Sequence, residues 1–96
     1  MDALSMLKMN LEISNDLRDD YMTALLEAAE LELARQGIPV PDEVNGELPA
    51  DYVNLKVMYA AYYYRKRAED VQAMPNMLRY ARNNYLLKLK MEDGSQ

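Results

Sequence analysis

Polar residues nearly vanish from the middle of the chain. Between Tyr52 and Tyr64 only Asn54 and Lys56 are polar, and from Val57 to Tyr64 the run Val-Met-Tyr-Ala-Ala-Tyr-Tyr-Tyr is apolar all round a helix. A surface helix carries a polar stripe, and a helix without one is enclosed by its neighbours. Fewer than about 18 apolar residues run together and charges close both ends, so the stretch is too short to cross a bilayer. The pattern predicts a central buried helix, opened by Pro49 and Asp51 and closed by the cationic head Arg65-Lys66-Arg67. Residues 68–73 either prolong it or fray from it.

The flanking patterns are also helical. Leu4, Leu7 and Leu11, widened by Met6 and Met9, give a short helix over residues 2–10 with Asp2 as its N-cap. The segment Leu11-Glu12-Ile13 is expected to be extended. Ser14, Asn15 and Asp16 are all N-cap residues, so the next helix is expected to begin there, with Asp16, Asp19 and Asp20 at its positive dipole end. From Leu17 to about Gln36, Leu17, Tyr21, Ala24, Ala28, Leu31 and Arg35 mark one face, and Met22, Leu25, Ala29 and Leu33 lie beside it. Gly37 and Pro39 stop that helix.

Residues 37–50 hold three of the four prolines and two of the three glycines, with Asn45-Gly46 as a turn signal between Val44 and Leu48. A connector and a binding loop both fit this stretch. Pro75 suits the first turn of a last helix, in which Leu78, Ala81, Tyr85 and Leu89 share a face. The expected fold is all-α, a small bundle of about four helices with a long loop between the second and third. One domain covers residues 1–90, and residues 91–96 form a disordered tail. Leu25, Ala28, Leu55, Met58, Tyr59, Tyr62 and Tyr63 are the expected core.

Composition narrows the chemistry. The 96 residues include eight Met and eight Tyr but no Cys, His, Trp or Phe. Disulfides and thiolate metal sites are therefore excluded, and the commonest general base is missing. Glu27 and Glu30 stand three apart, but a di-iron bundle needs Glu-x-x-His pairs. The acids at 16, 19 and 20 lack the glycine and the alternating ligands of a calcium loop. The three glycines are isolated, so no phosphate-cradling loop exists. No enzyme, cofactor or metal is expected. No leader or membrane span is expected at the N-terminus, where Asp2 and Lys8 bracket a short apolar pattern.

Net charge is −5, unevenly spread. Residues 1–51 hold twelve acids and three bases, a balance of −9, whereas residues 52–96 hold four acids and eight bases, a balance of +4. Two readings fit this separation: acidic and basic sides that meet in neighbouring copies, and solvated helix faces that differ by chance. Overall acidity argues against coating DNA, which requires a broad cationic surface. Tyr62, Tyr63 and Tyr64 point about 100° apart on a helix, so they do not form one base-stacking platform. They read as core, and the cations after them complement the helix C-terminus.

The run LLEAAELELARQG (Leu25 to Gly37), with its Ala28-Ala29-Glu30 core, precedes a Pro-rich loop and then LKVMYAAYYYRKR (Leu55 to Arg67), with Tyr63-Tyr64-Arg65 near its end. Over roughly residues 4–67 this arrangement resembles the small head–tail connector proteins of tailed bacteriophages. The resemblance implies a non-enzymatic structural subunit of the virion head–tail junction, present in the host cytoplasm during assembly. It implies a ring of about a dozen copies under the portal protein. Such a ring extends the DNA channel without binding DNA specifically and docks the next head-completion or tail protein, with no membrane involved. Arg65, Lys66, Arg67, Arg79 and Arg82 are the candidate subunit or portal contacts, and Glu27, Glu30 and Glu32 the opposing acidic side. The alternatives are an acidic interaction or regulatory protein of phage origin, including a DNA mimic, and a basic-ended module that binds nucleic acid.

Overall fold

The computed structural model describes residues 2–69 and 73–92. They form four helices: α1 (Ala3–Leu11), α2 (Asp19–Arg35), α3 (Ala50–Glu69) and α4 (Asn76–Glu92). The all-α expectation holds. The body is a slab of 46 × 34 × 18 Å. Its middle is α3, against which the other three helices all pack; α1 also packs on α2, while α4 lies along α3 alone among the helices described.

The missing polar stripe explains this arrangement. Tyr52, Leu55, Val57, Tyr59, Ala60, Ala61 and Tyr62 are buried and point in every direction around α3. Leu7 of α1 meets them, together with Met22, Leu26, Ala29 and Leu33 of α2 and Leu78 and Tyr85 of α4. Leu25, Met58 and Tyr63 pack at the edge of this core. Ala28 does not belong to it: it is exposed. The sequence offered two apolar faces on α2, and α3 takes the one through Met22, Leu26, Ala29 and Leu33. Ala28 lies one residue, about 100°, away from Ala29.

Local chemistry sets the helix ends. The Asp2 carboxylate caps α1 by accepting from the Ser5 amide at 2.8 Å. Leu11 is helical rather than extended, and Glu12 then turns left-handed at φ 59°. That turn lets the Glu12 and Ile13 amides reach the carbonyls of Met9 and Lys8 at 3.2 and 2.9 Å. Gly37 does the same for α2 at φ 96°. There the Gly37 and Ile38 amides bond to Ala34 and Leu33 at 3.1 and 2.8 Å, and Ile38 is drawn under the helix into the core.

Helix α2 starts at Asp19, later than expected. Asn15 Oδ1 accepts from the Leu17 amide at 3.1 Å, a local turn that competes with helix. Lys8 reaches across from α1 to Asp16 and Asp19 at 2.8 and 2.9 Å, so Asp16 is used before the helix begins. The loop after Gly37 turns at Asn45-Gly46 as expected, and the turn closes one residue earlier than Leu48, with Val44 and Glu47 paired across Asn45 (φ 56°) and Gly46 (φ 81°). Two positive φ values in succession make a type I′ turn. Pro75 precedes α4, and its carbonyl accepts from Leu78 and Arg79. Met91 and Glu92 belong to α4 instead of a tail. The expectations for residues 70–72 and 93–96 lie outside the described residues.

Two expected outcomes follow from these details. Glu12 holds a conformation that costs an L-residue roughly 1 kcal/mol and glycine almost nothing, so Glu12→Gly should raise stability by about that amount in urea melts. Burial pushes the Tyr52 and Tyr63 hydroxyls up to about 12, with Glu30 and Glu32 respectively adding to the effect. A raised folded value contributes stability below the ordinary value of about 10 that is lost as pH climbs through the folded one. Stability should therefore fall between about pH 10 and 12, and less steeply in a Tyr52→Phe, Tyr63→Phe double variant.

Candidate assembly surfaces

The C-terminal turn of α3 carries Arg65, Lys66 and Arg67, all exposed. Antiparallel packing brings the start of α2 alongside, and the two ends interlock through rings and guanidinium groups. Arg67 lies 5.8 Å from the centre of the Tyr21 ring, and Arg18 lies 5.9 Å from the Tyr64 ring while donating to its hydroxyl. The Tyr21 and Tyr64 rings are 6.1 Å apart. Lys66 sits 5.9 Å from the Tyr62 ring, and Arg65 donates to the backbone and side-chain oxygens of Asn10 at 3.3 and 3.0 Å. The result is an open cationic end in which aromatic rings hold Arg18, Lys66 and Arg67 and Asn10 holds Arg65. Arg18 was not among the sequence candidates. It lies 46 residues from Tyr64, and no local pattern marks it.

Arg79 and Arg82 do not join this end. Arg79 is exposed on α4. Arg82 is half-buried and donates at 3.4 Å to Gln36 Oε1, which also accepts from the Tyr59 hydroxyl at 3.2 Å. Gln36 Nε2 in turn donates to Glu32 at 2.5 Å. Arg82 thus fastens α4 to the end of α2.

The three acids separate in the same way. Glu27 is exposed. Glu30 pairs with Lys56 at 3.2 Å, which lets a lysine sit almost buried on α3. Glu32 accepts from Arg35 at 2.7 Å, and the bonds from Arg35 and Gln36 hold its carboxyl below the usual range. Asp51 pairs with Lys88 of α4, which also holds the Asp51 carboxyl low. Part of the charge asymmetry is therefore spent inside the molecule, since Glu30–Lys56 and Asp51–Lys88 both join the acidic half of the chain to the basic half.

Among the described residues no three His, Cys, Asp or Glu side chains gather closely enough to hold a metal ion. No described helix is long and apolar enough to cross a membrane.

The split between internal and outward acids is testable. Removing one member of a half-buried pair leaves its partner uncompensated, so Glu30→Gln should cost about 1–2 kcal/mol in a denaturant melt. Glu27→Gln should stay within about 0.5 kcal/mol of the parent.

The model of one protein family, described as phage gp6-like head–tail connector protein, matches residues 1–88. The match extends past the resemblance over residues 4–67 and takes in most of α4 as well as α1, α2 and α3. No curated protein and no solved structure matches the chain significantly. Members of that family are structural components of the phage particle, working among its head and tail proteins. With nearly its whole length matched, the chain belongs to the phage gp6-like head–tail connector family.

Proposed function

We propose that this protein is an adaptor subunit that assembles as a ring beneath the phage portal, extends the DNA channel and docks the next head-completion or tail protein. The family match over residues 1–88 carries this reading. Two physical features support it. A ring needs heterologous contacts, in which one face of a subunit meets a different face of the next, and charge segregation supplies unlike faces. A channel subunit must also let DNA slide, and a net charge of −5 does not favour tight binding to phosphates.

On this reading the protein performs no catalysis, and its work is done by surfaces. Arg65, Lys66 and Arg67, with Arg18 beside them, form the outward cationic end. Glu27 belongs to the acidic side. Glu30, Glu32 and Arg82 act through the fold by holding Lys56, Arg35 and Gln36. The protein resides in the virion at the head–tail junction and in the host cytoplasm before assembly.

The test is a concentration series of native mass measurements, followed by binding to portal-bearing heads that lack the connector. A discrete ring, free or on heads, is expected. The Arg65→Glu, Arg67→Glu double variant should lower head occupancy by about tenfold or more at limiting concentration, given roughly 1 kcal/mol per rim charge. Circular dichroism confirms that the variant stays helical. A monomer that ignores heads and displaces DNA from a DNA-binding protein would instead support the acidic regulatory reading.

A further inference from the structure

Helix α4 carries a second apolar face that none of the described residues covers. Met77, Tyr80, Leu87 and Met91 are all more than half exposed, and with Asn84 they fall at successive spacings of three, four, three and four residues. This is a heptad seam, and it points away from the Leu78, Ala81 and Tyr85 face that packs on α3. Over 14 residues it runs about 21 Å.

Helix α2 has a matching strip. The outer strip runs from Tyr21, whose ring already meets Tyr64 and Arg67 of α3, through the exposed Ala24, Ala28 and Leu31 to Arg35, with the same spacings and the same length. Leu31 is 74% exposed, and Leu17, in the turn just before the helix, is 91% exposed. The two strips differ in two respects. That on α4 is built of large side chains and has Arg79 and Lys90 beside it. That on α2 has alanines at its centre and Asp20 and Glu27 beside it.

We propose that the α4 seam of one copy packs on the outer α2 strip of the next copy. Tyr80 and Leu87 act as knobs beside the shallow ground left by Ala24 and Ala28, and an antiparallel pairing brings Lys90 opposite Asp20. Like-with-like pairing is disfavoured. Two α4 seams would set bases against bases and crowd four large side chains, and two α2 strips would set acids against acids around a gap. Because α2 and α4 flank α3 without packing along each other, one copy can use both strips at once. A contact between two unlike faces propagates from copy to copy and forms a ring if the rotation closes. The proposal rests on the connector reading for that closure, and on the two strips for the contact itself.

Ala28 and Asn84 are the middle residues of their strips, so they meet whether the helices run parallel or antiparallel. The chain has no cysteine, which makes cross-linking clean. Single Ala28→Cys and Asn84→Cys variants are mixed and oxidised, both free at the highest soluble concentration and on connector-deficient heads. The mixture should yield one cross-linked dimer and stop there, while the double variant yields a ladder. Each single variant alone should yield about tenfold less. Leu87→Glu, added to the Asn84→Cys chain, should suppress the mixed product without lowering the melting temperature. The proposal is overturned if Asn84→Cys alone links as well as the mixture. It is also overturned if, in both settings, the mixture does no better than Ala28→Cys with Glu47→Cys at the exposed hairpin tip. Heads that fill with protein but show no 28–84 link would remove this contact and leave the connector reading standing. A 28–84 link in protein that never binds heads would do the reverse.

Discussion

Tyr52, Leu55, Val57, Tyr59, Ala60, Ala61 and Tyr62 cannot all be hidden by one neighbour, because together they face every side of α3. Burying them requires partners all round, and the other three helices are placed by that requirement. Tyrosine makes it possible in so small a domain. Each ring contributes a large apolar area while its hydroxyl can find a partner at the margin, as Tyr59 does at Gln36 and Tyr64 at Arg18. Tyr52 is the exception, since its buried hydroxyl meets no partner among the described residues. It nevertheless anchors one end of the slab, with its ring 6.3 Å from that of Tyr85 and the Asp51–Lys88 pair beside it.

Features determined within a few residues were legible in the sequence. Asp2 caps α1, Gly37 ends α2, and Asn45-Gly46 makes its turn because each outcome depends on a side chain or a φ angle at that position. The late start of α2 and the left-handed Glu12 were hidden for the complementary reason. In the first case an Asx turn and a lysine from another helix compete with an N-cap, and in the second a left-handed glutamate accompanies the Ile13 amide bond to Lys8 and the packing of Ile13 on the core. The choice between the two faces of α2 was hidden as well. Both repeat at helical spacing, and only the position of α3 decides which one is core.

The candidate surfaces were legible as composition but not as geometry. A cationic run at the end of α3 is plain in the sequence. That Arg18 completes it, and that Tyr21 and Tyr64 support it, depends on antiparallel packing across 46 residues. The acidic candidates fared differently because counting charges does not show where they are spent. Glu30 and Glu32 are tied to Lys56 and Arg35, and Glu27 remains exposed.

That distinction bears on how a small acidic subunit can assemble at all. Charges paired internally set the shape of the slab, whereas charges left outside set what it repels and attracts. Asp20 and Glu27 lie along one outer helix, and Arg79 and Lys90 lie along another, each row beside an apolar strip with heptad spacing. Apolar strips alone would associate in any combination, since hydrophobic contact is not directional. Acids beside the centre of one strip and bases beside the other disfavour the two like pairings and leave the unlike pairing, the only one of the three that passes from copy to copy without using itself up. On the proposed ring reading, a subunit that closes a ring rather than a dimer needs that asymmetry more than it needs a stronger contact.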